Sequence, residues 1–193
     1  AIVTAIVEPD AARAVEALKH APGAKQFANI SDAITSGLID AALVATPGAF
    51  HEEVLLPIIA AGLPVLCEKP FAVNAIEVQA MVAAARANNV ALLEAMWTRF
   101  LPHISKVREL LASGVIGEIV NVEADHGQYL LDLNIPRLIE PSLAGGALLD
   151  LGIYPVSFAH MVLGVPARIT ATGVLTDKGV DSQTSAILDY HGG

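Results

Sequence analysis

The sequence predicts an α/β protein in two parts: a parallel sheet with helices on both faces, then an open, mainly antiparallel sheet. Three observations predict it. Short apolar runs alternate with helical patterns over residues 1–96, as in right-handed crossovers between parallel strands. Residues 97–193 lose this alternation and end in two strand patterns. Apolar residues make up 54% of the chain, enough for a sizeable core and too many for a disordered chain.

Four apolar runs predict the strands of the first part. Each is short and almost free of charge, as strands buried on both faces of a parallel sheet are. The runs are residues 1–7, 41–45, 64–67 and 90–95.

Helices are predicted between these strands from their start and stop signals. Asp10 is a cap for a helix with Val15 and Leu18 on its inner face. A second helix begins near His51 and ends at Gly62. A third opens at a capping box, Asn74 with Glu77, and turns four apolar residues to the core: Ile76, Met81, Val82 and Ala85.

The second part has less regular patterns. Its predicted elements are a helix at 102–112, a half-exposed strand at 119–125, a long loop at 127–144, a glycine-led turn into a helix at 145–163, and strands at 168–174 and 184–190.

Composition excludes several classes of partner. The net charge of −9 argues against binding nucleic acid through its phosphates and against docking on anionic membranes. The uncharged apolar run at residues 54–67 is too short to span a bilayer. A single cysteine, Cys67, excludes an internal disulfide and favours a cytoplasmic protein. The histidines show no metal-ligand spacing, so no metal is expected.

Polar residues follow the predicted strands at their carboxyl ends, where parallel sheets bind ligands. They are Glu8, Thr46 with Pro47, Glu68 with Lys69, and Trp97 with Arg99. A doubly wound nucleotide fold also needs a first strand with a glycine-rich turn, and no G-x-G-x-x-G occurs. We therefore expect a chain truncated at both ends, with that unit upstream of Ala1 in the parent protein.

Three stretches together carry a family resemblance. They read VLCEKP at 65–70, EAMWTRF at 94–100 and AGGALLDLGIY at 144–154. This combination resembles the glucose–fructose oxidoreductase/inositol dehydrogenase/MocA-like (Gfo/Idh/MocA) family, with the dimeric dihydrodiol dehydrogenases as the most similar branch, over essentially the whole chain.

The resemblance implies a Rossmann domain, residues 1–96, and a C-terminal α/β domain, residues 97–193, both partial here. In the family the C-terminal sheet often mediates dimers, so a homo-oligomer is expected. The lysine of E-K-P and the last residue of the third motif face the substrate beside the nicotinamide; they correspond to Lys69 and Tyr154. The motif's aspartate is Asp150, and a cis peptide bond is expected before Pro70. Where the family often has T-P-N, this chain has Gly48 in place of the Asn.

The chemistry of these residue types suits oxidation of a secondary alcohol, which needs a base and a hydride acceptor. No side chain accepts hydride, so a nicotinamide must. Tyr154 is a candidate base, although a free phenol ionises only near pH ~10. The Lys69 ammonium favours the phenolate and stabilises an alkoxide. Asp150, one helical turn earlier, is placed to orient Lys69 or the substrate hydroxyl. Which of Lys69 and Tyr154 takes the proton first stays open, as do structural roles for all three.

Cofactor contacts are predicted along the same edge of the sheet. Glu8 follows a strand where an acid can bind both ribose hydroxyls, which favours NAD over NADP, while Arg13 nearby offsets that preference. Thr46, Pro47, His51, Glu68, Lys69, Pro70 and Arg99 complete the predicted cofactor set. Trp97 is predicted either to form a wall of the substrate pocket or to pack between domains.

Two classes of function follow. The first is an NAD- or NADP-dependent dehydrogenase acting on a small sugar, polyol or dihydrodiol, with hydride-shuttling oxidoreductases and NAD-assisted glycosidases as variants. The second is a dinucleotide-binding sensor, or a fragment, without catalysis.

Overall fold

The computed structural model describes residues 1–130 and 133–190 and divides the chain into two compact units. The first comprises Ala1–Thr46 and Phe50–Ala95, and the second comprises Pro47–Ala49 and Met96–Gly193. Helices and strands alternate in the first unit, whereas the second ends in a hairpin. The chain is therefore a mixed α/β protein, as predicted.

The first unit contains five strands of three residues each, all paired in parallel. β1 (Ala5–Val7) pairs with β2 (Lys25–Phe27), and β3 (Ala42–Val44), β4 (Val65–Cys67) and β5 (Leu92–Glu94) form a second sheet in that order. In the second sheet Val44 pairs with Cys67, and Cys67 pairs with Glu94. The three strands consequently end level with one another, so the residues that follow them share one edge.

Four helices connect these strands: α1 (Ala11–His20), α2 (Ile30–Thr35), α3 (His51–Ala60) and α4 (Ala75–Ala87). α3 and α4 supply Leu55, Ile58, Ile59 and Met81 to the core of the second sheet, all at most 1% exposed. Removing this apolar surface from water is the main stabilising contribution here. The caps form as the sequence predicts: Asp10 accepts from the main-chain N–H of Arg13, and Asn74 from those of Ile76 and Glu77.

Two helix residues that were predicted to face the core are exposed instead, and helical geometry explains both. Val15 is 61% exposed and Ile76 is 78% exposed. At about 100° per residue, Val15 is rotated by about 100° from Ala14, which is the buried residue of α1. Ile76 is rotated by about 140° from Met81, the buried residue of α4. In each case the predicted apolar face is wider than the face that the fold buries.

The second unit contains α5 (Pro102–Ala112), α6 (Pro136–Ile139), α7 (Ile153–Leu163) and the antiparallel hairpin of β6 (Arg168–Leu175) with β7 (Asp181–Asp189). A π-helical turn, Leu148–Gly152, precedes α7. The strand predicted at 119–125 is wrong, because no described strand forms a ladder with these residues and they carry no regular secondary structure. The loop predicted at 127–144 contains α6 and a 3-10 turn at Pro141–Leu143; its residues 131 and 132 lie outside the described part.

The stretch Pro141–Leu163 is long and apolar enough to cross a membrane, judged by its 23 residues and mean hydropathy of 1.4. A single stretch of this kind is weak evidence for a membrane span, since core helices of soluble proteins and signal sequences can be equally long and apolar. Its backbone also changes conformation along its length, with left-handed Ala144 at φ 60° and Gly146 at φ 128° before the π-helical turn.

Candidate active site

The carboxyl edge of the second sheet brings together the residues that follow β3 and β4. The pairing extends beyond the strands, because the N–H of Glu68 donates to the carbonyl of Val44 (2.8 Å) and the N–H of Ala95 donates to that of Cys67 (2.7 Å). Thr46 and Lys69 therefore lie on short segments that leave the same edge of a rigid sheet. This is the part of a doubly wound fold where ligands bind.

The segment that carries Lys69 is held by two carboxylates. The peptide bond between Lys69 and Pro70 is cis, which confirms the expectation for this motif. The N–H of Lys69 donates to Glu68 Oε2 (3.2 Å), and the N–H of Phe71 donates to Glu94 Oε1 (3.1 Å). The main chain on both sides of Pro70 is thus tied to the ends of β4 and β5.

Thr46 has an unsatisfied group at this edge. Its Oγ1 is buried and, within residues 1–130 and 133–190, has no hydrogen-bond partner. Leaving a buried hydroxyl unpaired costs about 1–3 kcal/mol. A polar ligand atom at this position would satisfy it, so the edge fits a nicotinamide dinucleotide, whose ribose, phosphate and carboxamide groups are hydrogen-bonding partners.

His51 is the buried polar residue of this region, with 1% of its surface exposed. Its Nε2 lies 2.9 Å from the carbonyl oxygen of Thr46, and its Nδ1 lies 3.2 Å from that of Phe71. The ring therefore connects the end of β3 with the segment beyond Lys69. The predicted contact of His51 with a cofactor stays a prediction.

The two residues predicted to bind the adenosine ribose lie around β1. Glu8 follows β1, and its Oε1 accepts from the N–H of Asp10 (2.9 Å), as a turn residue does. Arg13 is exposed in the first turns of α1. One Glu8 oxygen thus stabilises the turn. The preference for NAD over NADP that Glu8 suggests stays a prediction.

Cys67 lies in the core of the sheet and is chemically protected. Burial raises the pKa of its thiol to about 12, and the negative charges of Glu94 and Glu68 add to that effect. Because the thiolate is the reactive form, this cysteine is unreactive at neutral pH.

In the second unit, Tyr154 lines a cavity of about 390 Å³. Both hydrogen-bonding and apolar side chains line its wall. The polar group comprises Thr98, Arg99, Glu123, Asp125, His126, Tyr154 and Ser157. This volume lies within the range of small-molecule sites.

The Tyr154 hydroxyl has a defined partner. Trp97 Nε1 donates to Tyr154 Oη at 3.1 Å, and the two rings meet edge to face with centroids 6.1 Å apart. The ring of His126 lies on Tyr154 with a centroid distance of 5.0 Å. The phenol oxygen is the acceptor in this bond, so the indole fixes the position of the hydroxyl group.

Arg99 is held in the wall of this cavity. Its Nε donates to Ser157 Oγ at 3.0 Å, and its carbonyl oxygen accepts from Arg108 Nη2 at 3.1 Å. Ser157 lies three residues after Tyr154 on α7, so the two share a face of the helix.

Asp150 lies in the π-helical turn and lines a second, smaller cavity of about 60 Å³, not the cavity of Tyr154. Its Oδ1 accepts from Arg137 Nη1 at 2.9 Å. The start of the same turn is anchored by Asp181, whose Oδ2 accepts from the N–H of Leu148 (2.7 Å). π-Helical turns are frequent at functional sites.

The residues of these surroundings that were not predicted include His126, Arg137, Ser157 and Asp181. The spacing of Ser157 from Tyr154 was a usable signal. The other three lie in segments without a clear period or on a distant strand, so nothing local marked them. Pro47 and Pro70 are both half-buried, beside Thr46 and Lys69 in the chain.

Comparison with known proteins identifies the relatives. The oxidoreductase family with an NAD-binding Rossmann fold matches residues 1–96, and the GFO/IDH/MocA C-terminal domain matches residues 104–193. The chain is 38% identical over 193 residues to trans-1,2-dihydrobenzene-1,2-diol dehydrogenase of Sus scrofa and 40% identical over 194 residues to that of Mus musculus. Each match covers 99% of the chain and 57% of the relative.

Solved structures show the same fold. An aldose-aldose oxidoreductase from Caulobacter crescentus superposes with a TM-score of 0.84 at 24% identity, covering 95% of this chain and 58% of that one. A 3-ketoreductase from Actinomadura kijaniata, solved with NADP, superposes with a TM-score of 0.80 at 26% identity, covering 98% and 58%. The chain therefore belongs to the Gfo/Idh/MocA family of oxidoreductases, with an NAD-binding Rossmann fold followed by the family's C-terminal domain.

Proposed function

We propose that the protein is an NAD- or NADP-dependent dehydrogenase that oxidises a secondary alcohol of a small sugar, polyol or dihydrodiol. The observation that carries the proposal is the Tyr154 phenol in a polar cavity, with an indole N–H aimed at its oxygen. The NAD-binding family of residues 1–96 supports it from the cofactor side.

The cofactor side of the proposal rests on the carboxyl edge of the second sheet. When bound there, the nicotinamide accepts the hydride that leaves the alcohol carbon. The buried Thr46 hydroxyl is a candidate contact to it, since it lacks a partner among the described residues. Lys69 leaves the same edge, and its ammonium is proposed to lower the energy of the developing alkoxide.

Tyr154 is proposed to take the hydroxyl proton of the substrate. The O–H bond of the alcohol breaks, the proton moves to the phenolate oxygen, and the C–H electron pair leaves as hydride. Trp97 orients the Tyr154 oxygen by donating to Oη, and the ring of His126 packs against the phenol ring. A base placed in this way typically contributes about 10²–10⁴-fold to the rate.

The walls of the cavity support a substrate with several hydroxyl groups. Arg99, Asp125 and Ser157 offer donors and acceptors, while Phe158 and Met161 offer apolar contact to carbon. The relatives named above include enzymes for an arene dihydrodiol and for aldoses, both hydroxylated rings. A hydroxylated ring of this size is therefore the proposed substrate class.

Self-association is proposed through the β6–β7 sheet. One face of its strands exposes apolar side chains that a monomer would leave in water, with Val174 59% and Ile187 66% exposed. Exposed apolar patches of this kind mark interaction surfaces. Sedimentation velocity of the full-length protein tests this; a monomer at all concentrations would contradict it.

The decisive experiment is a substrate panel with both cofactors, using the full-length protein and following formation of reduced nicotinamide by absorbance. Tyr154→Phe should lower kcat by about 10²–10⁴-fold while leaving cofactor affinity unchanged, because only the hydroxyl is lost. Tyr129→Phe is the matched control, since Tyr129 is absent from the cavity wall. Retained turnover in Tyr154→Phe would remove Tyr154 from the mechanism.

A further inference from the structure

His51 is a polar ring in a position where packing alone would favour an apolar side chain. It is the first residue of α3, and the residues of α3 that are equally buried, Leu55, Ile58 and Ile59, are all apolar. Burying an imidazole is unfavourable unless its nitrogens find partners. The reason for a histidine here must therefore lie in what its nitrogens bind.

Both ring nitrogens face main-chain carbonyl oxygens from different segments. Nε2 is 2.9 Å from the oxygen of Thr46, five residues earlier, and Nδ1 is 3.2 Å from that of Phe71, twenty residues later. A carbonyl oxygen only accepts hydrogen bonds, so a neutral ring, with one N–H, donates to one of the two carbonyls, and a ring that carries both protons donates to both. One side chain thus lies within hydrogen-bonding distance of the segments after both β3 and β4.

These two segments carry the groups proposed to act on the ligand. The first segment contains Thr46. Its side-chain hydroxyl has no partner among the described residues, and its main-chain carbonyl oxygen lies 2.9 Å from His51 Nε2. The second contains Lys69, two residues before Phe71. The N–H of Phe71 donates to Glu94, and its carbonyl oxygen lies 3.2 Å from His51 Nδ1, so the main chain just beyond Lys69 has polar contacts on both sides.

We propose that His51 is a positioning residue: it sets the distance between Thr46 and the Lys69 segment through their carbonyl groups and does not itself touch cofactor or substrate. With 1% of its surface exposed, the ring presents almost nothing to a ligand. This inference rests on the proposed function for Lys69. The structural bridge itself holds whether or not the protein transfers hydride.

The test compares three variants of the full-length protein. His51→Leu keeps a side chain of similar size and removes both ring nitrogens. His51→Gln keeps a side-chain amide with two N–H donors. His20→Leu is the matched control, because His20 is the last residue of α1 and is exposed. Amide hydrogen exchange of residues 44–47 and 68–73 reports the bridge without any need for activity. His51→Leu should speed exchange there by about tenfold or more, and leave residues 5–20 unchanged.

The kinetic readout separates positioning from general stability. His51→Leu should lower kcat by about 10- to 100-fold with little change in KM for the alcohol, because a small displacement of Lys69 affects the chemical step most. His51→Gln should recover most of the lost kcat and of the exchange protection. Unchanged exchange in His51→Leu, unchanged kcat despite faster exchange, or no recovery in His51→Gln would each overturn the proposal.

If the wild-type protein oxidises no alcohol with either cofactor, the proposed function fails, and the exchange measurement still decides whether His51 bridges the two segments. If turnover is present and the exchange is unaltered by His51→Leu, the function stands and the positioning role is overturned.

Discussion

Gly146 lies in the motif that leads to Asp150 and Tyr154, and a Cβ there would collide with a neighbouring side chain. A Cβ on Gly146 would lie 2.3 Å from Asp181 Oδ1, far inside van der Waals contact. The backbone φ of 128° is also one that residues with a Cβ rarely adopt. We therefore expect Gly146→Ala to be strongly destabilising.

The magnitude follows from two contributions. Strain of a non-glycine residue in such a backbone conformation costs about 1–3 kcal/mol. The new methyl group also displaces the Asp181 carboxylate, which then loses its bond from the N–H of Leu148, and a bond of this charge-assisted kind is worth about 1.5–3 kcal/mol. The free energy of unfolding should fall by about 2.5–6 kcal/mol in total.

Urea unfolding followed by circular dichroism measures this loss. Gly114→Ala is the matched control, because Gly114 has φ 68° with no heavy atom within 4 Å of the position that a Cβ would take, and it should lose only about 1–2 kcal/mol. In an Asp181→Ala background, Gly146→Ala should cost only the backbone strain. Equal losses for Gly146→Ala and Gly114→Ala, or no coupling with Asp181, would refute the reasoning.

Three further outcomes are expected. Asn74→Ala should lower the free energy of unfolding by about 1 kcal/mol in thermal or urea melts, because two N–H groups lose their cap acceptor; an unchanged melt would contradict this. Trp97→Phe should lower kcat with little change in cofactor affinity, since the Tyr154 hydroxyl loses the donor that orients it; an unchanged kcat would contradict this. Because burial raises the pKa of Cys67 to about 12, its contribution to stability is complete below about pH 8.5 and is lost as pH rises toward 12, and Cys67→Ala should flatten that decline in melts between those values.

The prediction of the fold succeeded where its signals were local. Caps at Asp10 and Asn74 and the ends of α5 were readable because each depends on residues within one turn of helix. β2 and α2 were not predicted, since a strand of three residues with one buried side chain, Phe27, has almost no periodicity to detect. The strand expected at 119–125 had the right alternation and no partner strand among the described residues, and a strand exists only as half of a pairing.

The sequence by itself determined the family motifs, the short apolar strands of a parallel sheet and the candidates Lys69, Asp150 and Tyr154, because those depend on residue type and short spacing. The predicted burial of the strands on both faces is wrong, since Leu43, Leu66 and Leu93 at their centres are 62%, 39% and 51% exposed. Only the tertiary structure decided what each candidate contacts. His51 bridges carbonyls five and twenty residues away, and Trp97 reaches Tyr154 across 57 positions of the chain. Such contacts form when the packing of helices and strands brings residues together that are far apart in the sequence. A local sequence pattern therefore does not predict them.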